Sequence, residues 1–418
     1  VLTVTLDGAP LSIRKYSQVY VGKPIEMAAT QPPRGVGPTG GAPSTDRTPL
    51  ANPLAYQTMN IYVPETAVGN VKTAIVLQVR NSGWYAAAPA EVIEADKDYV
   101  STNDTDATGA ALKAGYIIVN AGTRSRGAEA ADGSWAGKAP AAVVDAKAAV
   151  RYLRLNDKVM PGSAEPIIIT GTSGGGALSV AVAASGNSPD YYPYLAEIGA
   201  AGISSDGAST LNDDVFATIA YCPITDLGNA DAAYEWQYSF LRNSENTIGG
   251  TLTGAQKAAS AQLAAGYDAY LKSLRYTVED GSSLSAATLK AGIIAHIAAA
   301  VQKAAASGAT IPALGEDFVI QGRDGNRSVS NDWLTTEGGK VTDINYENYL
   351  RFVTNVSPLK IVPAFDATAN TGNEHLRGEN SLFGETNATY ANFTAYGWDN
   401  NEVSGDGSVT CSHKCPRL

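Results

Sequence analysis

Histidine is nearly absent from this chain: three residues in 418, His296, His375 and His413. Any imidazole base or imidazole metal ligand must be one of them. Cysteine is as scarce, and Cys222, Cys411 and Cys415 give no disulfide framework. Cys222 lies in an apolar strand-like run and is expected to be a small buried hydrophobe. Cys411 and Cys415 flank His413 in the last eight residues. Three ligands on a short tail fall short of a closed zinc site, so residues 401–418 are expected to form a loop-like tail without metal. Positive charge is the minority: 30 Lys and Arg against 41 Asp and Glu, a net −11, which argues against nucleic acid as partner. No apolar run is long enough to span a membrane, so no membrane partner is expected. The start, Val1-Leu-Thr-Val-Thr, has neither Met nor a signal-type stretch. It reads as a processed or engineered start, consistent with a secreted or cell-surface protein.

What is present is length and regular alternation. The 418 residues, 44% of them hydrophobic, suffice for a large core and a second lobe. Alternating runs at Val1–Leu6 and Met59–Val63 read as antiparallel edge strands, separated by a Pro- and Gly-rich loop near residues 31–53. Buried strands are expected at residues 73–79, 115–120, 166–170 and 216–222. Between the second and third of these, Pro140 opens an amphipathic helix running through Leu155. Strands alternating with helices predict an α/β fold with a mainly parallel sheet. After Asp226 the chain turns alanine-rich and helical, notably over residues 253–265 and 286–306. On the second of these helices Ile293, Ile294, Ile297 and Val301 trace one face, with His296 beside it as an expected packing histidine. Residues 311–400 carry few periodic runs. The expected organisation is a core over 1–226, a lid or substrate-binding insertion over 227–400, and the atypical tail over 401–418.

One motif carries most of the chemical information. Pro166-Ile-Ile-Ile-Thr-Gly171-Thr-Ser173-Gly174-Gly175-Gly-Ala-Leu runs from a β-branched strand, through a glycine-dense corner, into a helix of small residues. It reads as a nucleophile elbow, G-x-S-x-G, with Ser173 at its apex. The amide of Gly174 falls at a helix N-terminus, where unpaired N–H groups and the helix dipole favour the oxyanion of an ester intermediate. The turn lacks the lysine of a P-loop, and its glycines do not space as a dinucleotide fingerprint. No cofactor and no metal are therefore expected.

Ester cleavage also needs a second oxyanion donor, a general base and a group to orient it. Asn81-Ser82-Gly83, after the strand ending at Arg80, supplies backbone amides at the carboxyl end of a central strand, and Ser82 is the candidate donor. An ordinary turn is the alternative reading. Asp226 is a conceivable acid, with helix N-cap as the other reading. None of the three histidines follows a convincing strand and helix.

These residues resemble the bacterial tannase and tannase-like feruloyl esterase group of α/β hydrolases. The resembling segments are Leu77–Trp84, Pro140–Arg154, the elbow, Tyr221–Asp226, Ala230–Trp236, Pro363–Asp366 and Glu379–Gly384. Together they span residues 55 to 395. The resemblance implies an α/β-hydrolase sheet with a large, mostly helical lid, and a serine hydrolase acting through an acyl-enzyme on feruloyl, hydroxycinnamoyl or galloyl esters. Its partner would be a small phenolic ester or a feruloylated oligosaccharide. Ser173 would be nucleophile, with the amides near Ser82 and Gly174 as oxyanion hole. Lys360 and Glu379 would bind ring hydroxyls, which both donate and accept. Between them, residues 367–377 are longer than in the family pattern, which suits a pocket altered toward a feruloyl or related group.

The family continues into two further strands that carry the catalytic aspartate and histidine, and neither segment is present. The resemblance fades near Gly405. The expectation is a sheet without its final strands, with an exposed edge. A second reading follows, a catalytically impaired module that binds phenolic or sugar ligands. A third has His413 as the base.

Overall fold

The computed structural model describes residues 1–28, 50–103, 106–322, 325–366, 379–388 and 391–400. His375, His413, Cys411, Cys415, the stretch 367–377 and the tail 401–418 lie outside them. Eight strands form the central sheet: β1 (Leu2–Leu6), β2 (Ala9–Val19), β3 (Thr58–Pro64), β4 (Ile75–Val79), β5 (Asp98–Tyr99), β6 (Ile117–Ala121), β7 (Ile167–Thr172) and β8 (Ala217–Tyr221). They lie side by side in the order β5-β1-β2-β3-β6-β4-β7-β8. The pairs β1–β2, β2–β3 and β3–β6 are antiparallel, and β6, β4, β7 and β8 run parallel.

Register explains why the central strands are so uniformly apolar. Ile75, Leu77 and Val79 of β4 pair with Ile117, Val119 and Ala121 of β6, and Ile75 and Leu77 pair with Ile167 and Ile169 of β7. Matched parity puts all eight on one face, in one core cluster. Ile118 points the other way and joins Val4, Ile13 and Tyr62 beneath the opposite face. At β6 both faces are buried, as suits a central parallel strand. β2 was not anticipated, because its polar, half-exposed residues alternate weakly.

Among the helices α1 (Thr108–Lys113), α2 (Ala141–Leu155), α3 (Gly174–Ala184) and α4 (Tyr192–Glu197), the second and third press Val143, Val150, Leu153, Leu178 and Val182 onto the main cluster. The expected amphipathic helix at Pro140 is instead buried almost all round. Its charges survive burial by pairing. Arg124 clasps Asp145 with Nη2 and Nε, and Gln57 also donates to that carboxylate. Lys147 and Arg151 share Asp213 at 2.7 and 3.0 Å.

Residues after Asp226 add no strand to this sheet among the described residues. They form α5 (Leu227–Tyr238), α6 (Gly254–Ser273), α7 (Ala286–Ala306), two hairpins, α8 (Tyr346–Val356) and α9 (Ala395–Asp399). Thr253 with Gln256, and Ser285 with Thr288, make capping boxes that start α6 and α7. The hairpins β9 (Asp317–Gly322) with β10 (Gly325–Ser330) and β11 (Leu334–Glu337) with β12 (Lys340–Ile344) lie where few periodic runs were read. β10 and β12 are largely exposed, so no apolar alternation marks them.

Three local expectations are corrected. Cys222 is exposed, because it leaves β8 at a positive φ of 37° and turns away from the core. His296 is exposed on α7 and makes no hydrogen bond among the described residues, so it is not a packing histidine. Asp226 stands at the N-cap position of α5 at φ 53°, but its carboxylate accepts from Asn229 and Tyr270 side chains rather than capping the helix. On β8, the outer strand among the described residues, Ile219 and Tyr221 are 46% and 54% exposed, and the adjoining Phe216 is 74% exposed.

Candidate active site

Ser173 stands between β7 and α3 with φ 60° and ψ −119°. A non-glycine residue at positive φ is strained, and such strain collects where side-chain direction matters. Three backbone bonds hold it, one of them the helical bond from the Ala177 amide to its carbonyl at 3.0 Å. Its amide donates to Tyr221 O at 2.8 Å, and its carbonyl accepts from the Ile224 amide at 3.1 Å. The glycines permit the corner. A Cβ on Gly171 would lie 2.4 Å from Gly175 C, and one on Gly174 would lie 2.2 Å from Asn81 O and 2.3 Å from Trp84 N. The helix start and the loop after β4 are thus in backbone contact. That contact brings two sources of amide donors to one place.

The loop is itself a strained 3-10 turn, Ser82–Trp84, with Gly83 at φ 59° and Trp84 at φ 61°. Trp84 is buried, and its Nε1 donates to Ile224 O at 3.2 Å. Asn81 fixes the turn: its Nδ2 donates to Tyr85 O, and its Oδ1 accepts from Thr123 Oγ1. The amide of Ser82, the expected donor, points back into its own turn and donates to Arg80 O at 2.8 Å. The amide of Gly83 has no acceptor among the described residues, and Gly83, not Ser82, is the residue with an amide to offer. Sequence reading could not separate neighbours in one turn, because the choice depends on the dihedrals.

The expected ring-binding residues sit on segments tied together by one buried carboxylate. Asp366 accepts from Thr394 Oγ1 at 2.6 Å, the Thr394 and Phe393 amides, and the side-chain amides of Asn380 and Asn392. Burial raises its pKa while these donors pull the other way. Asp231 of α5 accepts from the amides of Phe365 and Asp366 at 2.7 and 2.9 Å. Its own burial, then the neighbouring Asp366, raises it from 3.8 to about 7. The network explains the two late motifs. Asp366 closes Pro363–Asp366, and Asn380 follows Glu379 and binds it.

Lys360 lies at the start of this clasp. Its amide donates to the Tyr234 hydroxyl, its carbonyl accepts from Arg242, and its ammonium lies 4.0 Å from the Phe365 ring centroid. Glu379 faces a residue that sequence reading passed over: Arg126, whose Nη1 is 3.4 Å from Glu379 Oε1 and whose guanidinium lies 3.8 Å over the Tyr85 ring. No short-range pattern marks a pair 253 positions apart. Nearby Lys138, buried and donating to Ser381 O, is lowered by burial to about 7.

Among the described residues no side chain hydrogen-bonds to the Ser173 hydroxyl. None of them forms a cluster of metal-ligating side chains, and no helix among them is long and apolar enough to cross a membrane.

A family profile described as BD-FAE matches residues 59–268. Among solved structures, a Fusobacterium nucleatum tannase is 30% identical with a TM-score of 0.71, covering 95% of this chain and 77% of that one. A tannin acyl hydrolase in complex with 3,4-dihydroxybenzoate is 27% identical with a TM-score of 0.72, covering 98% and 77%. A tannin acyl hydrolase in complex with ethyl gallate is 28% identical with a TM-score of 0.72, covering 98% and 78%. No curated protein sequence matches. With its parallel sheet, its elbow and these relatives together, the chain belongs to the BD-FAE family and is a tannase-like α/β-hydrolase.

Proposed function

We propose that the chain is a serine carboxylic ester hydrolase for esters of phenolic acids. The observation that carries this is the elbow: Ser173 held at φ 60°, with the start of α3 beneath it and the strained Gly83–Trp84 turn against it. Ser173 is the nucleophile of an acyl-enzyme mechanism. The amides of Gly174 and Gly83 receive the oxyanion. The relatives that hold 3,4-dihydroxybenzoate and ethyl gallate support a hydroxylated aromatic acyl group, galloyl or hydroxycinnamoyl. Lys360 and Glu379 meet its ring hydroxyls, an ammonium for the acceptor and a carboxylate for the donor. Residues 227–400 act as lid and substrate-binding insertion over the 1–226 core. The alcohol side is a small ester or a feruloylated sugar, which fits a secreted or cell-surface protein.

Hydrolysis of methyl gallate and methyl ferulate, beside Ser173→Ala, tests this. Turnover abolished by the substitution is expected. Turnover that survives it sinks the assignment of Ser173.

A second reading has one observation in its favour: no described side chain hydrogen-bonds to the Ser173 hydroxyl, and His375 and His413 lie outside the described residues. On that reading the same pocket binds phenolic ligands without turnover. Covalent labelling of Ser173 by a fluorophosphonate separates the two, since an unactivated serine reacts poorly.

A further inference from the structure

Among the described residues the buried arginines are satisfied, with one exception. Arg124 makes three side-chain bonds to Asp145 and one to Ala136 O. Arg151 makes five bonds, to Asp213, Ser209 and three carbonyls. Arg126 is as buried, 5% exposed, yet among the described residues the one polar contact of its guanidinium is the 3.4 Å approach to Glu379, and its Nε has no hydrogen-bond partner. A buried guanidinium left this incomplete costs stability that a structural role does not return.

Its placement gives the reason. Arg126 is bolted to the turn that carries Gly83. The Ala86 amide donates to Arg126 O, Ser125 Oγ donates to Trp84 O, and Thr123 Oγ1 donates to Asn81 Oδ1. Its guanidinium carbon lies 3.8 Å from the Tyr85 ring centroid, and its Nη1 faces Glu379. Glu379 is 13% exposed and has no other partner among the described residues. Arg126 is the physical link between the turn proposed to receive the oxyanion and the carboxylate proposed to read the ring.

Resting on that proposed function, we infer that Arg126 is a positioning residue for acyl-group selection. It holds the Glu379 carboxylate in place and fixes its distance from the Gly83 turn. One carboxylate oxygen is then left to accept from a ring hydroxyl, which selects hydroxylated benzoyl or cinnamoyl groups over bare ones. Lysine could not replace it. Stacking on Tyr85 and edge-on pairing with Glu379 are simultaneous only for a planar guanidinium.

The test compares methyl gallate with methyl benzoate, an ester without ring hydroxyls. Arg126→Gln is expected to lower kcat/KM for methyl gallate about 10- to 100-fold, chiefly through KM, and to leave methyl benzoate within about threefold. Glu379→Gln should reproduce that selective loss, and the double variant should be no worse than either single one. Equal losses on both esters, or additive losses in the double variant, would overturn the inference in favour of a purely structural arginine. Should Arg126→Gln not fold, Arg126→Lys and Glu379→Gln carry the same comparison. If the unsubstituted chain hydrolyses neither ester, the hydrolase reading fails on its own. The inference is then read from quenching of tryptophan fluorescence by 3,4-dihydroxybenzoate against benzoate. Selective weakening by Arg126→Gln supports it, and parallel weakening or none overturns it.

Discussion

Gly174→Ala tests whether contact between the start of α3 and the Gly83 turn is what makes the site. The new methyl carbon would stand 2.2 Å from Asn81 O and 2.3 Å from Trp84 N. An ordinary contact is roughly 3.5–4.0 Å, so one backbone must retreat by more than about 1 Å. Ser173 is held on its other side by Tyr221 O and the Ile224 amide, so the turn is what moves. A displacement of that size at a reacting centre costs about 100-fold in rate, as does loss of one oxyanion donor. The expected result is kcat for methyl gallate down about 100-fold with KM nearly unchanged, since the ring is held elsewhere. Overpacking should also cost about 1–3 kcal/mol of stability. Gly186→Ala is the control. Its Cβ would meet Asp214 Cβ at 2.8 Å, away from the elbow, so it should destabilise the fold and leave kcat alone. Gly174→Ala with kcat within threefold of the parent, or Gly186→Ala with the same fall, would refute the reasoning.

Stability should depend on pH in two opposed steps. Asp231, raised from 3.8 to about 7, is protonated in the folded chain and ionised in the unfolded one between those values, so stability falls as pH rises from about 4 to 7. At about 1.4 kcal/mol per pH unit the effect is on the order of 4 kcal/mol. Lys138, lowered from 10.5 to about 7, works the other way and returns stability between about 7 and 10. Urea midpoints across pH 4–10 should show a minimum near neutrality; a rise between pH 4 and 7 would contradict the Asp231 assignment, and a fall between pH 7 and 10 the Lys138 assignment. Asp213→Ala strands Lys147 and Arg151 in the core and should cost at least about 3–5 kcal/mol in denaturant unfolding; a loss below 1 kcal/mol would show the pair is hydrated. Ile219→Lys on β8 should reduce self-association measured by light scattering, because a lysine blunts an exposed edge strand, and unchanged scattering would show that this edge does not associate.

What could be read in the sequence and what could not divide along one physical line. The β-branched strands and the elbow were legible because they are local: Ile167–Ile169 must be buried on a sheet, and a serine flanked by Gly171, Gly174 and Gly175 can turn only one way. The polar strands β2 and β10 were not, since exposed ladders need no alternation. Helix α2 misled for the opposite reason. Its Asp145, Lys147 and Arg151 look like a solvent face, and partners at Arg124 and Asp213 bury them. The site repeats this division. Ser173 and Gly174 follow from five adjacent residues, whereas Gly83 in place of Ser82 depends on backbone dihedrals near 60°, and Arg126 on a partner 253 positions away. On the proposed function, chemistry at the nucleophile is written in the chain locally, while selection of the acyl group depends on contacts between distant segments. It follows that substitutions around Asp366, which ties residues 380 and 392–394 to the Lys360 segment through five donors, should alter which ester is preferred before they alter whether Ser173 can react.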